Sequence, residues 1–190
     1  MDLITAATAA HWFDMDRFWP AAARVLKPGG SVAIWTAGEA CMHPSMPNAA
    51  AIQAALNEIN EKEIKPFTLP GNVLAQYLYV DLALPWALAQ PVAEFDEGTF
   101  LRKEWASGEG FLEMSGITAD LDMFERILGT MSPIQRWRDA NPEKVGTEED
   151  ILRRQRRVIE RLLHEAGVEK GKEWVKGSIK GVLLMVKKKA

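Results

Sequence analysis

Apolar runs and helix signals alternate over the first part of the chain. Residues 2–7 form a short apolar run, which favours a buried strand. Asp14 stands at an N-cap position, and apolar residues at helical spacing then predict a helix over about 15–26. The Lys-Pro-Gly-Gly turn at 27–30 ends this helix, and the apolar run at 31–36 is typical of a parallel strand covered on both faces. The pattern predicts one right-handed βαβ unit.

Helix and strand signals continue to alternate downstream of residue 36. Helices with one apolar face are expected at 48–64, at 119–128 after a Thr118 cap, from Ser132, and at 147–167 after a capping box. Strands are expected at 99–105 and 181–187. Irregular segments are expected at Gly38–Pro47, in the proline- and aromatic-rich stretch 65–98, and at Gly108–Gly116. This order favours an α/β layered domain.

The composition suits one domain of 190 residues, with 47% hydrophobic residues to build a core. The formal net charge is −3, so no strong field recruits nucleic acid or an anionic membrane. The basic tail Lys187–Lys189 is interpreted as a solvated terminus. We therefore expect neither a nucleic-acid partner nor a membrane partner.

Cysteine usage points to a reducing compartment. Cys41 is the single cysteine, which excludes an intrachain disulfide and a cysteine-rich zinc site. The sequence shows no secretory signal and no apolar run long enough to span a membrane. No spacing of metal ligands is present either, so we expect a cytoplasmic protein without a metal.

Three segments together resemble the class I S-adenosylmethionine-dependent methyltransferases. Residues 2–14 (DLITAATAAHWFD) resemble their fourth strand and its following loop, 24–30 (RVLKPGG) the turn into their fifth strand, and 181–187 (GVLLMVK) their last strand. Residues 48–86 and 137–142 resemble the type 11 branch that includes fungal trans-aconitate methyltransferase and gliotoxin bis-thiomethyltransferase. The resemblance covers essentially the whole chain.

This resemblance implies a partial Rossmann-like sheet, strands four to seven of the family, in a single truncated domain over 1–190. A helical cap insert over the acceptor site is expected at 108–145. The family's glycine-rich cofactor loop and its acidic ribose-binding residue have no counterpart here, so about three strands of the doubly wound sheet are missing. One edge of the fourth strand should therefore be open to a second copy or to a partner methyltransferase.

The implied function is S-adenosylmethionine-dependent methyl transfer to a small-molecule carboxylate or thiol. Such acceptors need little help from a general base, and most of the rate comes from positioning. Whether this chain is active by itself stays open, because the glycine-rich loop is absent. The alternative is a non-catalytic module that pairs with a complete methyltransferase or binds a metabolite.

The expected cofactor-binding residues follow the first strand, where ligands bind in open α/β sheets. By resemblance they are Thr5, Ala6, Ala7, His11 and Trp12. The small residues could instead allow close packing of strand and helix. His11 could orient the acceptor, act as a weak base, or bond a loop carbonyl, and Trp12 could be a pocket wall or part of the core.

The expected acceptor contacts are spread along the chain. The family resemblance and the end of the second predicted strand suggest Trp35, Thr36, Tyr77, Tyr79, Trp86, Arg136 and Trp137. An arginine in the insert could bind a carboxylate with two parallel hydrogen bonds. Alternatively, Arg136 faces solvent and Trp137 docks the insert.

Overall fold

A computed structural model describes residues 1–106 and 118–190. The predicted loop Gly108–Gly116, and with it the start of the predicted insert, lies outside the described residues. The described chain forms two compact units. The first unit is drawn from Met1–Glu39, Pro70–Leu112 and Ile179–Ala190, and the second from Ala40–Leu69 and Glu113–Ser178. The second unit therefore includes more of the chain than the predicted insert, and the single-domain interpretation stays a prediction.

The architecture is mixed α/β, as expected from the sequence. The strands described are β1 (Leu3–Ala7), β2 (Ser31–Met42), β3 (Phe95–Trp105), β4 (Thr118–Ala119) and β5 (Val175–Lys188). Their order in the sheet is β1-β2-β5-β3, and the short β4 pairs with the beginning of β5. β1 and β2 are parallel, whereas β3 and β5 are antiparallel.

The helices described are α1 (Met15–Val25), α2 (Ala49–Ile59), α3 (Pro70–Gln76), α4 (Leu121–Gly129), α5 (Ser132–Ala140) and α6 (Ile151–Glu165). A 3₁₀ turn at Ala10–Trp12 precedes α1. A π-helical turn at Asn60–Ile64 and a 3₁₀ turn at Lys65–Phe67 continue α2, which accounts for the long helix signal at 48–64.

The predicted βαβ unit is confirmed. β1 pairs with β2 in parallel from Leu3↔Ser31 to Ala7↔Trp35. Asp14 caps α1, its carboxylate accepting a hydrogen bond from the main-chain N–H of Arg17. The turn between α1 and β2 needs a residue at positive φ, which Gly29 supplies at 76°.

The prediction that the first strand is buried is wrong. Ala6 is buried and Ile4 partly so, but Leu3 is 53% exposed, and Thr5 and Ala7 are exposed as well. The reason is that β1 lies at the end of the strand order and only one of its faces packs on the core. An apolar run cannot distinguish a central strand from such an edge strand.

Two helix starts and one strand end differ from the predictions. Thr118 does not cap α4, because Thr118–Ala119 pair with β5; Asp120 caps it instead, accepting from the Met123 N–H at 2.7 Å. α5 includes Ser132, with Met131 at the cap position. β2 continues into the predicted loop as far as Met42.

The tail is not wholly solvated. The Lys188 ammonium donates hydrogen bonds to the carbonyl oxygens of Ala23 (2.7 Å) and Leu26 (2.9 Å) at the end of α1. Since β5 runs to Lys188, the sheet holds this side chain against the helix terminus. The expectation of a solvated terminus is therefore wrong for Lys188.

Each unit has its own apolar core. In the first unit Trp19 is fully buried on α1, its ring meeting Phe95 edge to face at 5.0 Å and its indole N–H bonding the Ala83 carbonyl at 2.9 Å. In the second unit α6 contributes Ile159 and Leu163 to the core. The amphipathic pattern predicted for residues 147–167 is thus confirmed, although Asp150, rather than Thr147, caps the helix.

Candidate functional site

The carboxyl ends of the parallel strands β1 and β2 lie side by side in the first unit. The main-chain N–H of Thr8 extends the pairing by bonding the Trp35 carbonyl at 2.8 Å. The chain then leaves β1 through the 3₁₀ turn that carries His11 and Trp12. This edge is where open parallel sheets bind their ligands.

A histidine, a tyrosine and a threonine meet at this edge. Nδ1 of His11 lies 2.9 Å from the phenol oxygen of Tyr79, and Tyr79 is only 1% exposed. Thr36, on β2, is fully buried beside the Tyr79 phenol, and its hydroxyl donates to the Ala37 carbonyl at 3.1 Å. His11 itself is half-buried. The sequence had named all three residues, and the structure brings them together from positions 11, 36 and 79.

Tyr79 is held by an unusual main-chain conformation. Leu78 and Tyr79 both adopt positive φ angles, 55° and 58°, which β-carbons disfavour. Arg102 of β3 secures this bend because its guanidinium donates to the Leu78 carbonyl at 2.9 Å and to the Tyr79 carbonyl at 3.5 Å. Gly38 leaves room for the bend, since a β-carbon there would lie 2.9 Å from the Leu78 side chain.

Burial sets the protonation of the two titratable groups. Desolvation raises the pKa of the Tyr79 phenol, while hydrogen bonds with Thr36 and with the main chain of His11 and Ala10 act in the opposite direction. Burial lowers the pKa of His11 below its ordinary value of about 6.5. Both groups are therefore neutral at pH 7, and the cluster presents hydrogen-bonding groups without a charge.

An aromatic wall stands beside the cluster. The Trp12 ring lies 4.7 Å from the His11 ring, centroid to centroid, and is about half exposed. Gly71, at the start of α3, packs against both residues, because a β-carbon there would come within 2.9 Å of the Trp12 ring. Of the alternatives for Trp12, the exposed ring fits a pocket wall better than a core residue.

The small residues of β1 divide between its two faces. Thr5 and Ala7 are exposed beside the site, whereas Ala6 points into the core. Of the three, Thr5 and Ala7 are thus accessible to a ligand through their side chains. For Ala6, the structure matches the alternative of close packing.

The remaining acceptor-site residues of the first unit have different surroundings. Tyr77 is 62% exposed and Trp35 is partly buried. Trp86 packs edge to face on Phe100, with ring centroids 5.2 Å apart, against the core of the unit. Their roles as acceptor contacts stay predictions.

Arg136 and Trp137 lie in the second unit, on α5. Nε of Arg136 donates to the Phe67 carbonyl at 2.7 Å, and the side chain is partly buried. Trp137 is 3% exposed and packs among Ile134 and Ile151. The alternative that Trp137 docks the insert matches this burial, and Arg136 is engaged with the main chain rather than fully solvated.

Two contributors to the site were not identified from the sequence. Gly71 follows Pro70, so the pair reads as a turn signal rather than as a contact surface. Arg102 stands among charged residues of β3, and its side chain also bonds Glu104 at 2.8 Å. Nothing in the local pattern connects either residue with His11 or Tyr79.

Two shallow depressions lie elsewhere on the units. One, of about 440 Å³, is on the second unit beside Arg138 and Pro142, and the other, of about 480 Å³, is on the first unit beside Arg24 and Glu94. Neither is lined by His11, Thr36 or Tyr79. Within residues 1–106 and 118–190, no group of three or more His, Cys, Asp or Glu side chains is arranged to hold a metal ion.

No helix in the described part of the chain combines the length and the apolar character that crossing a bilayer requires.

Comparison with known proteins places the fold among methyltransferases. A structure from Anaeromyxobacter dehalogenans, described as a candidate type II methyltransferase, aligns with 100% of this chain and 64% of its own, at 22% identity and a TM-score of 0.52. At that identity the likeness establishes the fold and not the activity. This chain thus spans less than two thirds of the length of that protein.

Sequence comparison gives a shorter match. A Dictyostelium discoideum protein named as a candidate methyltransferase is 47% identical over 38 residues, which are 20% of this chain and 14% of that protein. A structure from Bacillus halodurans, described as a candidate methyltransferase, aligns at 17% identity over 100% of this chain and 65% of its own, but its TM-score is 0.36, too low to support an argument. No family profile matches the chain.

Proposed function

We propose that this chain is part of an S-adenosylmethionine-dependent methyltransferase whose acceptor is a small-molecule carboxylate or thiol. The observation that carries the proposal is the neutral His11–Tyr79–Thr36 cluster at the carboxyl ends of two parallel strands. The fold likeness to a methyltransferase supports it. The single Cys41 is consistent with a cytoplasmic setting, which we propose as well.

The residues present suit the methyl-donating end of the cofactor. A sulfonium is a cation, so it is compatible with neutral oxygens and an aromatic face and incompatible with a neighbouring ammonium or guanidinium. Thr5 and Ala7 are small and exposed, and Trp12 offers a half-exposed ring. We propose that these three residues border the cofactor, which when bound supplies an electrophilic methyl group.

The chain's own part in the reaction is positioning. Thr36 and Tyr79 are buried polar residues beneath the proposed acceptor position. The Arg102 guanidinium holds the main chain of Tyr79 in place by donating to its carbonyl. His11 contacts the Tyr79 phenol through Nδ1, and no described residue hydrogen-bonds its Nε2, which we propose orients the acceptor. Holding the acceptor atom in line with the methyl carbon is the main source of rate in such a displacement. Arg136 and Trp137, in the second unit, are not needed for this proposal.

Calorimetric titration with S-adenosylmethionine and with S-adenosylhomocysteine tests the proposal. We expect saturable binding by the folded chain. Ala7→Arg should abolish it, because the guanidinium would bring bulk and positive charge to the place proposed for the sulfonium. Leu3→Arg is the matched control, since Leu3 is exposed on the same face of β1 but at its other end. A folded wild-type chain that gives no saturable signal contradicts the proposal.

Among the described strands β1 pairs only with β2, and its other edge supports a second candidate, a non-catalytic module that pairs with another chain. The Asp2 carbonyl and the Thr8 N–H bond to the side of β2, so by strand alternation the main-chain groups of Leu3, Thr5 and Ala7 point away from it. We propose a strand of a second copy as the partner to test first. Light scattering on the purified chain should give a dimer that Thr5→Pro, but not Thr5→Val, converts to monomer, because only proline removes the outward N–H. A monomeric wild type contradicts this candidate.

A further inference from the structure

The sheet of the first unit buries one of its two faces in a core. Val32 and Ile34 of β2 and Val182 and Leu184 of β5 are almost fully buried and pack with the side chains of α1. Successive residues of a strand point to opposite faces, so the residues between these four lie on the other side of the sheet. Sheets with parallel strands normally have both faces covered.

The other side, called the outer face below, is apolar but uncovered. It carries Trp35 of β2, Leu183 and Met185 of β5, and Leu101 of β3, which lies directly across from Met185. Trp35, Leu183 and Met185 are only partly buried and Leu101 is 47% exposed, although β2 and β5 are the central strands. A continuous apolar surface of this kind marks a place of interaction.

Two unpaired ammonium groups border the apolar side chains of the outer face. Lys103 lies directly across from Leu183, and Lys187 follows Met185 on the same side of β5. Both side chains are exposed, and neither has a carboxylate partner in the part of the chain that the structure describes. The Lys103 ammonium lies 4.7 Å from the centroid of the Trp105 ring. The outer face is therefore apolar at its centre and cationic at its border.

We propose that the outer face binds an amphipathic helix of a partner protein, with apolar residues against the sheet and carboxylates beside them. The proposal goes beyond the proposed function and does not depend on a cofactor. Lys103 is level with Leu183, so along β5 it is ~13 Å from Lys187. Two carboxylates about nine residues apart on a helix span the same distance.

A second copy of this chain fits the outer face less well. A two-fold contact through this face would bring the ammonium groups of both copies to one interface, and like charges there are unfavourable. Asp96 lies across from Lys187, but its carboxylate already accepts the Gly98 N–H at 3.0 Å. A bilayer also fits less well, because Trp35 is partly buried and does not protrude as a residue that enters lipid does.

Fluorescence anisotropy with two labelled peptides tests the proposal on the folded chain. The first peptide has about 18 residues, with leucine along one stripe and two glutamates about nine positions apart beside it. The second has lysine in place of both glutamates. We expect saturable binding of the acidic peptide and several-fold weaker binding of the lysine peptide. Equal binding of the two, or no binding of the acidic peptide, would overturn the proposal.

A charge reversal locates the binding site. Lys103→Glu should weaken binding of the acidic peptide several-fold and strengthen binding of the lysine peptide, an exchange that loss of structure would not produce. Lys170→Glu is the matched control, since Lys170 is an exposed cation of the second unit. If both variants had the same effect, net charge and not the outer face would attract the peptide, and the proposal would be wrong.

A second pair of variants tests the apolar part of the outer face. Leu101→Ser should weaken binding of the acidic peptide several-fold, because Leu101 is the most exposed of the apolar side chains proposed to meet the helix. Val80→Ser is the control, since Val80 is 66% exposed and lies outside the sheet. An affinity that Leu101→Ser leaves unchanged rejects the outer face as the docking surface.

The other two occupants have distinct signatures. Light scattering that shows a dimer which Leu101→Ser, and not Thr5→Pro, converts to monomer would assign the outer face to a second copy. Sedimentation with vesicles of phosphatidylserine and phosphatidylcholine that is lost in Leu101→Ser would assign it to a lipid surface. Either result overturns the proposal of a partner helix. Calorimetry with S-adenosylmethionine is a separate measurement, so failure of the proposed function would not be mistaken for failure here.

Discussion

The main chain of Gly71 passes so close to the carbonyl oxygen of His11 that a β-carbon added at position 71 would lie 2.5 Å from that oxygen. The same β-carbon would lie 2.8 Å from the Trp12 ring. This contact joins the start of α3 to the turn that follows β1. It shows that the place of His11 depends on a residue distant from it in sequence.

Gly71→Ala is therefore expected to destabilise the chain by ~1–3 kcal/mol, because a packed main-chain atom cannot yield as a flexible side chain can. Urea unfolding measures the loss. Gly177→Ala is the control, since no atom lies within 4 Å of a β-carbon there. Equal stability of the two variants would mean that the close approach at Gly71 is relaxed in solution.

Asp150 should be the more costly of two helix caps to remove. Its buried carboxylate accepts from the N–H groups of Leu152 (3.1 Å) and Gly146 (2.9 Å) and pairs with Arg138 at 3.3 Å. Asp150→Ala should cost roughly 2–4 kcal/mol, because it removes a cap and leaves a largely buried guanidinium without its partner. Asp14→Ala removes an exposed cap and should cost only about 0.5–1 kcal/mol. Denaturant unfolding of both variants measures the two losses of stability. If Asp14→Ala lost as much stability as Asp150→Ala, the structural role of Asp150 would be contradicted.

Lys188 should stabilise the end of α1. Its ammonium bonds the last carbonyls of the helix, where the helix dipole also favours positive charge. We expect Lys188→Met to lower the unfolding free energy by about 1 kcal/mol. Lys187→Met is the control: it keeps the hydrogen bond from the Lys187 main-chain N–H to the Thr99 hydroxyl, and it should change the free energy of unfolding little. If the Lys187 variant loses as much stability as the Lys188 variant, the loss comes from net charge and not from the cap.

His11 should make the chain less stable as the solution is acidified. Burial lowers its pKa in the folded state, while the unfolded chain takes up a proton at about pH 6.5. The stability from neutral His11 is therefore complete above pH 6.5 and is lost as the pH falls through the lowered pKa. The NMR midpoint of His11 should lie below 6.5, and wild type should lose more stability than His11→Gln between about pH 7.5 and about pH 5. A midpoint above 6.5 would contradict the conclusion that burial lowers the pKa of His11.

Much of the local structure is determined by the sequence itself. Asp14, the Pro28–Gly29 turn and the helical spacing of 151–163 predict elements that the structure contains, because caps, turns and periodic burial act over a few residues. The parallel pairing of β1 with β2 follows from the same local signals. The sequence also shows the residue types of the site: small residues at the end of β1 and a polar residue at Thr36.

Other features were decided only by tertiary structure. The same apolar run fits a buried strand and an edge strand, and its position at the end of the sheet left Leu3 exposed. Tyr79 meets His11 across 68 positions because two consecutive residues with positive φ turn the chain and Arg102 holds it there. Lys188 reaches α1 only because β5 lies in the sheet between β2 and β3. Such contacts depend on which distant surfaces the packed core brings together, and no local propensity encodes that choice.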